Sequence, residues 1–389
     1  MPLGKDKTEL DKLKATFTAA EIAQQPRMWR ETLELIGARQ DEIRSFINGV
    51  TSQDDYIVIL TGAGSSEFVG GAASVALNSR LNLHVQSYGT TDIVANPHQY
   101  LSQDRPTLLV SFARSGNSPE SVGAIQAADA ICSDVHHLFI TCNEEGELAR
   151  SAASRDNALS IVLPPETNDK SFAMTSSFSS MYLAVLLAFS SEEQFDAIAA
   201  SLETVCTAAE TLMGANARYE QLVAAFDFDR IVYLGSGPLK SIARESALKM
   251  LELTQGKVAA LHDSPMGFRH GPKSFLSSRT LTVFYMSNED ETYRYELDLV
   301  KEMSGQRKGN RILALTNRHD SELEALVDEF VVLDAPGLDS ALLALTYVVS
   351  AQLTSLAKSL SLGLTPDNPF PSGEVNRVVK GVSIYPVEV

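Results

Sequence analysis

Two loops and one helix hold the residue types that could do chemistry. The first loop, SFARSGNSPES at Ser111–Ser121, sets Arg114, Ser115, Gly116, Asn117 and Ser118 directly before Pro119, a residue suited to the first position of a helix. An arginine followed by small polar residues around a glycine fits a phosphate monoester: hydroxyl and N–H donors ring its oxygens and the guanidinium adds charge. A capping turn accounts for Ser118 and Pro119 but leaves Arg114–Asn117 unexplained. The second loop, TGAGSSEFVGG at Thr61–Gly71, puts Gly64, Ser65 and Ser66 where a helix would begin, and amides at a helix start favour an anion. It is not a dinucleotide fingerprint, because the third small residue of that pattern falls on Glu67. Taken alone, it fits a tight structural turn equally well.

The helix is read in PLKSIARESALKMLELTQGK, starting near Pro238, where Glu245, Lys249 and Glu252 recur at i, i+4 and i+7 on one face. From spacing alone this is a Glu–Lys pair stabilising an amphipathic surface helix. The following segment shifts the balance. HDSPMGFRHGPKSFL, His262–Leu276, gathers two histidines, two prolines, two glycines, Arg269 and Lys273, the composition of a shaped site rather than a plain connection. A lone histidine is more often structural, so composition gives neither His262 nor His270 a role. GFRHGPKS looks like the end of a nucleotide-binding phosphate loop, but Pro272 stands where that loop needs glycine, and no strand is expected to feed it.

These groups need elements to hold them. Short runs rich in Val, Ile and Leu at 56–60, 107–112, 137–142 and 158–163 alternate with helical stretches. A long helical region from about Ser176 to Phe226 follows, the runs resume at 230–234, 280–286, 311–316 and 330–334, and Ala341–Ser361 reads as helix. This is the pattern of an α/β protein with parallel sheets covered on both faces. The two series match in order: IVIL at 57 with IVYL at 231 (offset 174), TLLV at 107 with TLTV at 280 (173), ITCN at 140 with ALTN at 314 (174), and IVL at 161 with VVL at 331 (170). Four ordered matches argue for a tandem duplication of one α/β domain. In the second copy the loop equivalent to Arg114–Ser118 is YMSNEDETY, Tyr285–Tyr293, acidic and without glycine, so one phosphate pocket per chain is expected. The first 50 or so residues read as helical, with capping-box spacing at Thr18–Glu21 and a break at Pro26. The expected layout is a helical extension over 1–48, one α/β domain over 49–210, a second over 211–372, and a tail over 373–389.

Composition narrows the class. The 389 residues carry a net charge of −17 with no compensating basic tract, which speaks against nucleic-acid binding. Cys132, Cys142 and Cys206 are an odd count without CxxC spacing, so neither a disulfide framework nor a cysteine zinc site is expected. The amino terminus has no apolar leader and the run Met181–Phe189 is too short to span a bilayer. A soluble, cytoplasmic protein is expected, without a membrane partner.

The G-x-G-x-S loop, the R-S-G-x-S loop, the A-L-K-x-x-E helix, the H-G-P turn and the Asn376–Lys380 N-x-x-x-K together resemble the SIS (sugar isomerase) superfamily. Within it the chain is most similar to the AgaS group, described as galactosamine-6-phosphate deaminases and tagatose-6-phosphate ketose/aldose isomerases. The resemblance implies two tandem SIS domains. It implies that Ser66, Ser115 and Ser118 hold a sugar phosphate, with Gly64, Ser65, Gly116 and Asn117 in the same loops and Thr175 and Ser176 lining the pocket. Arg114 replaces a more usual glutamine, and Ala113 stands where transaminase relatives have serine. The resemblance further implies that Glu252 moves the proton between C1 and C2 with Lys249 beside it among the substrate-binding residues, that His270 opens the sugar ring, and that Lys380 contacts the open chain. It implies a homodimer with the H-G-P histidine donated across the interface, and no metal or redox cofactor. With no glutamine-hydrolysing domain ahead of the tandem, deamination or isomerisation is expected rather than amide transfer. A non-catalytic sugar-phosphate sensor would need the phosphate loop but not Glu252, His270 and Lys380 together.

Overall fold

The computed structural model describes every residue except Asn82, Lys380 and Val389, and only the backbone of Arg80 and Leu81. Its contacts divide into two units, and each encloses a five-stranded parallel sheet. Residues 27–170, 174–200 and 372–389 form one unit. Its strands are β1 (Ile57–Gly62), β2 (Val85–Gly89), β3 (Thr107–Ala113), β4 (Val135–Thr141) and β5 (Ala158–Val162), in the order β2-β1-β3-β4-β5. Residues 1–26, 171–173 and 201–371 form the other. Its strands are β6 (Arg230–Gly235), β7 (Ala259–Asp263), β8 (Thr280–Tyr285), β9 (Arg311–Thr316) and β10 (Glu329–Val332), in the order β7-β6-β8-β9-β10. The same topology is built twice, and the amino-terminal helices are shared between the units at Pro26.

This strand order places the site. In each sheet the chain runs from the first strand to the edge on one side, then continues on the other. The crevice at the carboxyl ends of β1 and β3, or of β6 and β8, is therefore a topological switch point, where two loops part and leave backbone amides open to a ligand. All residues of β1, β3 and β8 are buried, as parallel strands covered on both faces must be. The edge strands β2 and β7, VQSYG and AALHD, are only partly buried and carry no continuous apolar run, so the sequence pattern misses both. β7 also corrects the expectation that no strand precedes GFRHGPKS.

Strand register corrects two of the four sequence matches. Ile57 pairs with Thr107 and Arg230 with Thr280, so equivalent residues in β1 and β6 lie 173 apart, not 174. Leu108 pairs with His136 and Leu281 with Arg311, so β4 and β9 differ by 175 rather than 174. Thr141 pairs with Val162 and Thr316 with Val332, and the last match keeps its offset of 170. A slip of one turns every side chain to the opposite face, so the IVIL–IVYL likeness is compositional and not positional.

The capping box expected at Thr18–Glu21 is not formed. That helix begins at Thr16, and the Asp367 carboxylate accepts the amides of Phe17 (3.2 Å) and Thr18 (2.8 Å) and the Thr18 hydroxyl (2.9 Å). A carboxylate brought by the fold has replaced the local cap. The Ser340–Ser361 helix is long and apolar enough to cross a membrane, but its most apolar window is wholly buried. It packs along the Pro238–Leu253 helix, on which Glu245 and Lys249 are buried.

Candidate active site

Ser66, Arg114, Ser115 and Ser118 line one cavity of about 110 Å³ at the carboxyl ends of β1 and β3. Gly64, at φ +59°, makes the turn into the Ser65–Leu81 helix and delivers Ser66 to the wall. Gly116 has φ +70°, and a Cβ there would stand 3.2 Å from the Gly146 Cα, so only glycine suits this turn. The loop is tied from behind: Asn143 Nδ2 donates to the Ser115 carbonyl (2.8 Å), and Asn117 Oδ1 accepts the Glu147 amide (2.9 Å). Ser118 caps the Pro119–Ile131 helix, its Oγ accepting from the Ser121 amide and lying 2.6 Å from the Ser121 hydroxyl. The amides of Ser115, Gly116 and Ser118 donate to no described residue. Unspent amides, three serine hydroxyls and a 7 % exposed guanidinium on one cavity wall make a seat for a tetrahedral oxyanion.

The remaining expected residues of this pocket take other places. Ser65 is buried at its helix start and is not on the wall. Thr175 and Ser176 are fully buried at the start of the Ser176–Ala188 helix. The Asp169 carboxylate accepts the Thr175 amide (2.8 Å), the Ser176 hydroxyl (2.5 Å), and the Ser177 amide (2.9 Å) and hydroxyl (2.6 Å). A buried aspartate thus supplies the cap for this helix, and Met174 meets the cavity instead. Lys380 lies outside the described residues.

In the second unit the Pro238–Leu253 helix carries Glu245, Lys249 and Glu252 on one face. Lys249 Nζ lies 3.3 Å from Glu245 Oε1 and 2.5 Å from Glu252 Oε2. The side chains of Lys249 and Glu245 are wholly buried, whereas that of Glu252 is 20 % exposed, so Glu252 alone of the three can meet a molecule arriving from solvent. Lys249 is therefore an internal counter-ion and not a substrate contact.

The two histidines of the His262–Leu276 segment separate. His262 is half-buried on β7, and burial with the nearby Arg244 holds its pKa below the usual value, so it is neutral at pH 7. His270 is exposed in the turn between the Pro265–Phe268 helix and the Pro272–Phe275 helical turn. That turn is fixed on both flanks. Ser264 Oγ accepts the Gly267 amide (3.1 Å), Phe268 is fully buried, and the Glu302 carboxylate holds Arg269 Nε (3.0 Å) and Lys273 Nζ. The cations of the segment are spent on presenting the imidazole. A larger hollow of about 580 Å³ between Lys273 and Asn310 lies at the amino-terminal ends of β8 and β9, the wrong end of the sheet for a switch-point ligand.

Residues 54–191 and 226–361 each match the SIS domain. The chain belongs to the SIS domain family. A Streptomyces coelicolor relative, provisionally named D-galactosamine-6-phosphate deaminase AgaS, is 45 % identical over 95 % of this chain and 96 % of its own. The D-galactosamine-6-phosphate deaminase AgaS of Escherichia coli O157:H7 is 40 % identical over 95 % and 96 %. The crystal structure of tagatose-6-phosphate ketose/aldose isomerase from Escherichia coli has a TM-score of 0.88 and 37 % identity, covering 96 % of this chain and 97 % of the other.

The cavity-wall residues that sequence reasoning on this SIS chain missed include the polar Ser121 and Arg377 and the apolar Met174, Val378 and Val379. Ser121 belonged to the quoted SFARSGNSPES stretch, and its position one helical turn beyond Ser118 was the available signal. Nothing in the local sequence marks Arg377, whose role comes from where the tail is laid.

Proposed function

We propose that this chain is a D-galactosamine-6-phosphate deaminase, yielding D-tagatose 6-phosphate and ammonium. The observation that carries the reading is the end-to-end identity of 40 % with an enzyme of that name, and the cavity of Ser66, Arg114, Ser115 and Ser118 supports it by suiting a phosphate monoester. The phosphate docks there, and binding energy distant from the reacting carbons orients the sugar. His270 carries a proton from O1 to the ring oxygen and opens the pyranose to the aldehyde. Glu252 takes the C2 proton while the aldehyde oxygen O1 takes up one, giving an enolamine, and Glu252 then returns its proton to C1 as the amino group gives up an N–H proton. C1 is then an alcohol and C2 an imine; water adds to C2 and the nitrogen leaves as ammonia. These steps need no external oxidant or reductant. The reading includes a homodimer in which the exposed His270 serves the partner's substrate. It also includes a cytoplasmic location, a reducing compartment that suits three buried cysteines outside any disulfide.

A second reading, ketose/aldose isomerisation of tagatose 6-phosphate, is favoured by the 37 % identical structure that bears that name. It shares the enolisation and omits ammonia release. One assay separates the two. The purified protein is given galactosamine 6-phosphate and, separately, glucosamine 6-phosphate, and ammonium and ketose phosphate are followed together. Ammonium with ketose from the galacto epimer is the expected result. Turnover of tagatose 6-phosphate with no ammonium from either amino sugar selects the isomerase.

A further inference from the structure

We propose that Arg377 is a positioning residue that clips the carboxy-terminal segment onto the phosphate cavity, and that the cavity holds its anion tightly only with this clip closed. The inference rests on the reading of that cavity as the phosphate seat. Arg377, Val378 and Val379 form part of its wall. The Arg377 guanidinium donates through Nε to the Asp169 carbonyl (2.9 Å), and through Nη2 to Asn168 Oδ1 (2.8 Å) and again to the Asp169 carbonyl. Its own carbonyl accepts from Arg114 Nη2 at 2.8 Å.

Three features make this an anchor and not a casual contact. Among the described residues from Ser372 to Val379, every hydrogen bond to the body of the unit runs through Arg377; the others, Ser372 to Glu374 and Asn376 to the Gly373 carbonyl, are local. Among the described residues the next fastenings lie downstream, where Ile384 lies against Gly123, Val387 joins the core around Ile93 and Leu109, and the Glu388 carbonyl meets His98 Nε2 at 3.1 Å. The receiver, Asp169, is the residue whose carboxylate fixes the start of the Ser176–Ala188 helix and so the neighbourhood of Met174. One aspartate therefore holds two walls of the cavity, by its side chain and by its carbonyl.

The bond from Arg114 gives the clip a chemical consequence. A guanidinium has five N–H donors in a fixed plane, so a bond from one of them to the Arg377 carbonyl fixes that plane and leaves the others oriented. Without the clip, Arg114 loses the Arg377 carbonyl as an acceptor and the cavity loses its Val378–Val379 side. The charge remains, but its alignment does not. The step this affects is anion binding, not proton transfer, because neither Glu252 nor His270 is involved.

The test compares full-length wild type, Arg377→Ala, Arg377→Lys and Arg114→Ala. It measures inorganic phosphate binding by calorimetry, amide exchange of residues 372–388 with and without phosphate, and steady-state kinetics on galactosamine 6-phosphate. Phosphate is expected to slow exchange of the tail in the wild type. Arg377→Ala is expected to bind phosphate at least tenfold more weakly, to raise KM in proportion with kcat within threefold, and to exchange its tail amides faster and without regard to phosphate. Arg377→Lys, which keeps a cationic donor group but not the planar fork, recovers part of each effect. A wild-type phosphate affinity and tail exchange rate in a folded Arg377→Ala protein overturns the clip while leaving the cavity reading intact. Failure of the wild type to bind phosphate, with no effect of Arg114→Ala on KM, overturns the cavity reading and the clip with it.

Discussion

The ammonium of Lys249 lies 2.5 Å from Oε2 of Glu252, and the lysine is wholly buried while the glutamate reaches solvent. The carboxylate is thereby held at one oxygen by a fixed internal cation, which leaves it pre-oriented for a substrate proton. Glu252→Gln keeps the shape and the hydrogen-bonding oxygen but removes the base. Turnover is expected to fall by roughly 10²–10⁴-fold, the range of a positioned acid–base group, with phosphate affinity unchanged within threefold. Near-normal kcat in this variant would remove Glu252 from the proton-transfer step.

The same lysine predicts an asymmetry in stability. Lys249→Met strands the wholly buried Glu245 carboxylate beside an apolar group, and breaking a buried pair in this way costs about 3–5 kcal/mol. The double change Glu245→Gln with Lys249→Met removes the stranded charge and is expected to regain most of that loss. Urea denaturation of the two proteins measures the difference. Equal midpoints for single and double variants would show that burial of Glu245 contributes little.

Arg114 is 7 % exposed and forms part of the cavity wall with Ser66, Ser115 and Ser118. A hydrogen bond to a charged group contributes about 1.5–3 kcal/mol, so Arg114→Ala is expected to raise KM for a phosphorylated substrate roughly 10- to 150-fold with a smaller change in kcat. Competition by inorganic phosphate weakens in parallel. An unchanged KM moves the anion seat elsewhere.

The parts of this molecule legible in the sequence are those fixed by local pattern. β1, β3 and β8 show as apolar runs because both faces of each strand are buried, and the Arg114–Ser118 loop shows because glycine, serines and an arginine are needed within five residues. Parts fixed by distant partners do not show. β2 and β7 lie at sheet edges, where partial burial relaxes the apolar requirement. Thr18–Glu21 has the spacing of a cap, yet Asp367 supplies the acceptor from the far end of the chain. Ser176 has the composition of a phosphate ligand, yet Asp169, seven residues earlier, takes its hydroxyl. Arg377 enters the cavity wall only because the tail is laid along that unit.

At the corresponding point of the second sheet a buried carboxylate meets the backbone, and a pH dependence follows. Ser287 follows β8 as Arg114 follows β3, 173 residues apart in the register of those strands. There the Ser287 amide donates to Glu296 Oε2 at 2.7 Å, and the Glu296 side chain is fully buried. A carboxylate of the protein thus occupies the amide that an anion would use. Burial raises the Glu296 pKa from 4.5 to about 7, against the pull of the Ser287 amide and Ser236. Because the folded pKa exceeds the unfolded one, the folded state retains this proton between roughly pH 4.5 and 7 while the unfolded chain has released it. The group's contribution to stability is complete below about pH 4.5 and is lost as pH rises through about 7, a change on the order of 3 kcal/mol. Glu296→Gln resembles the protonated form at every pH. It is expected to stabilise the protein relative to wild type at pH 8 and to show little difference at pH 5, read as unfolding midpoints in urea at the two pH values. A gap between variant and wild type that is the same at both would mean that Glu296 is ionised throughout in the folded protein.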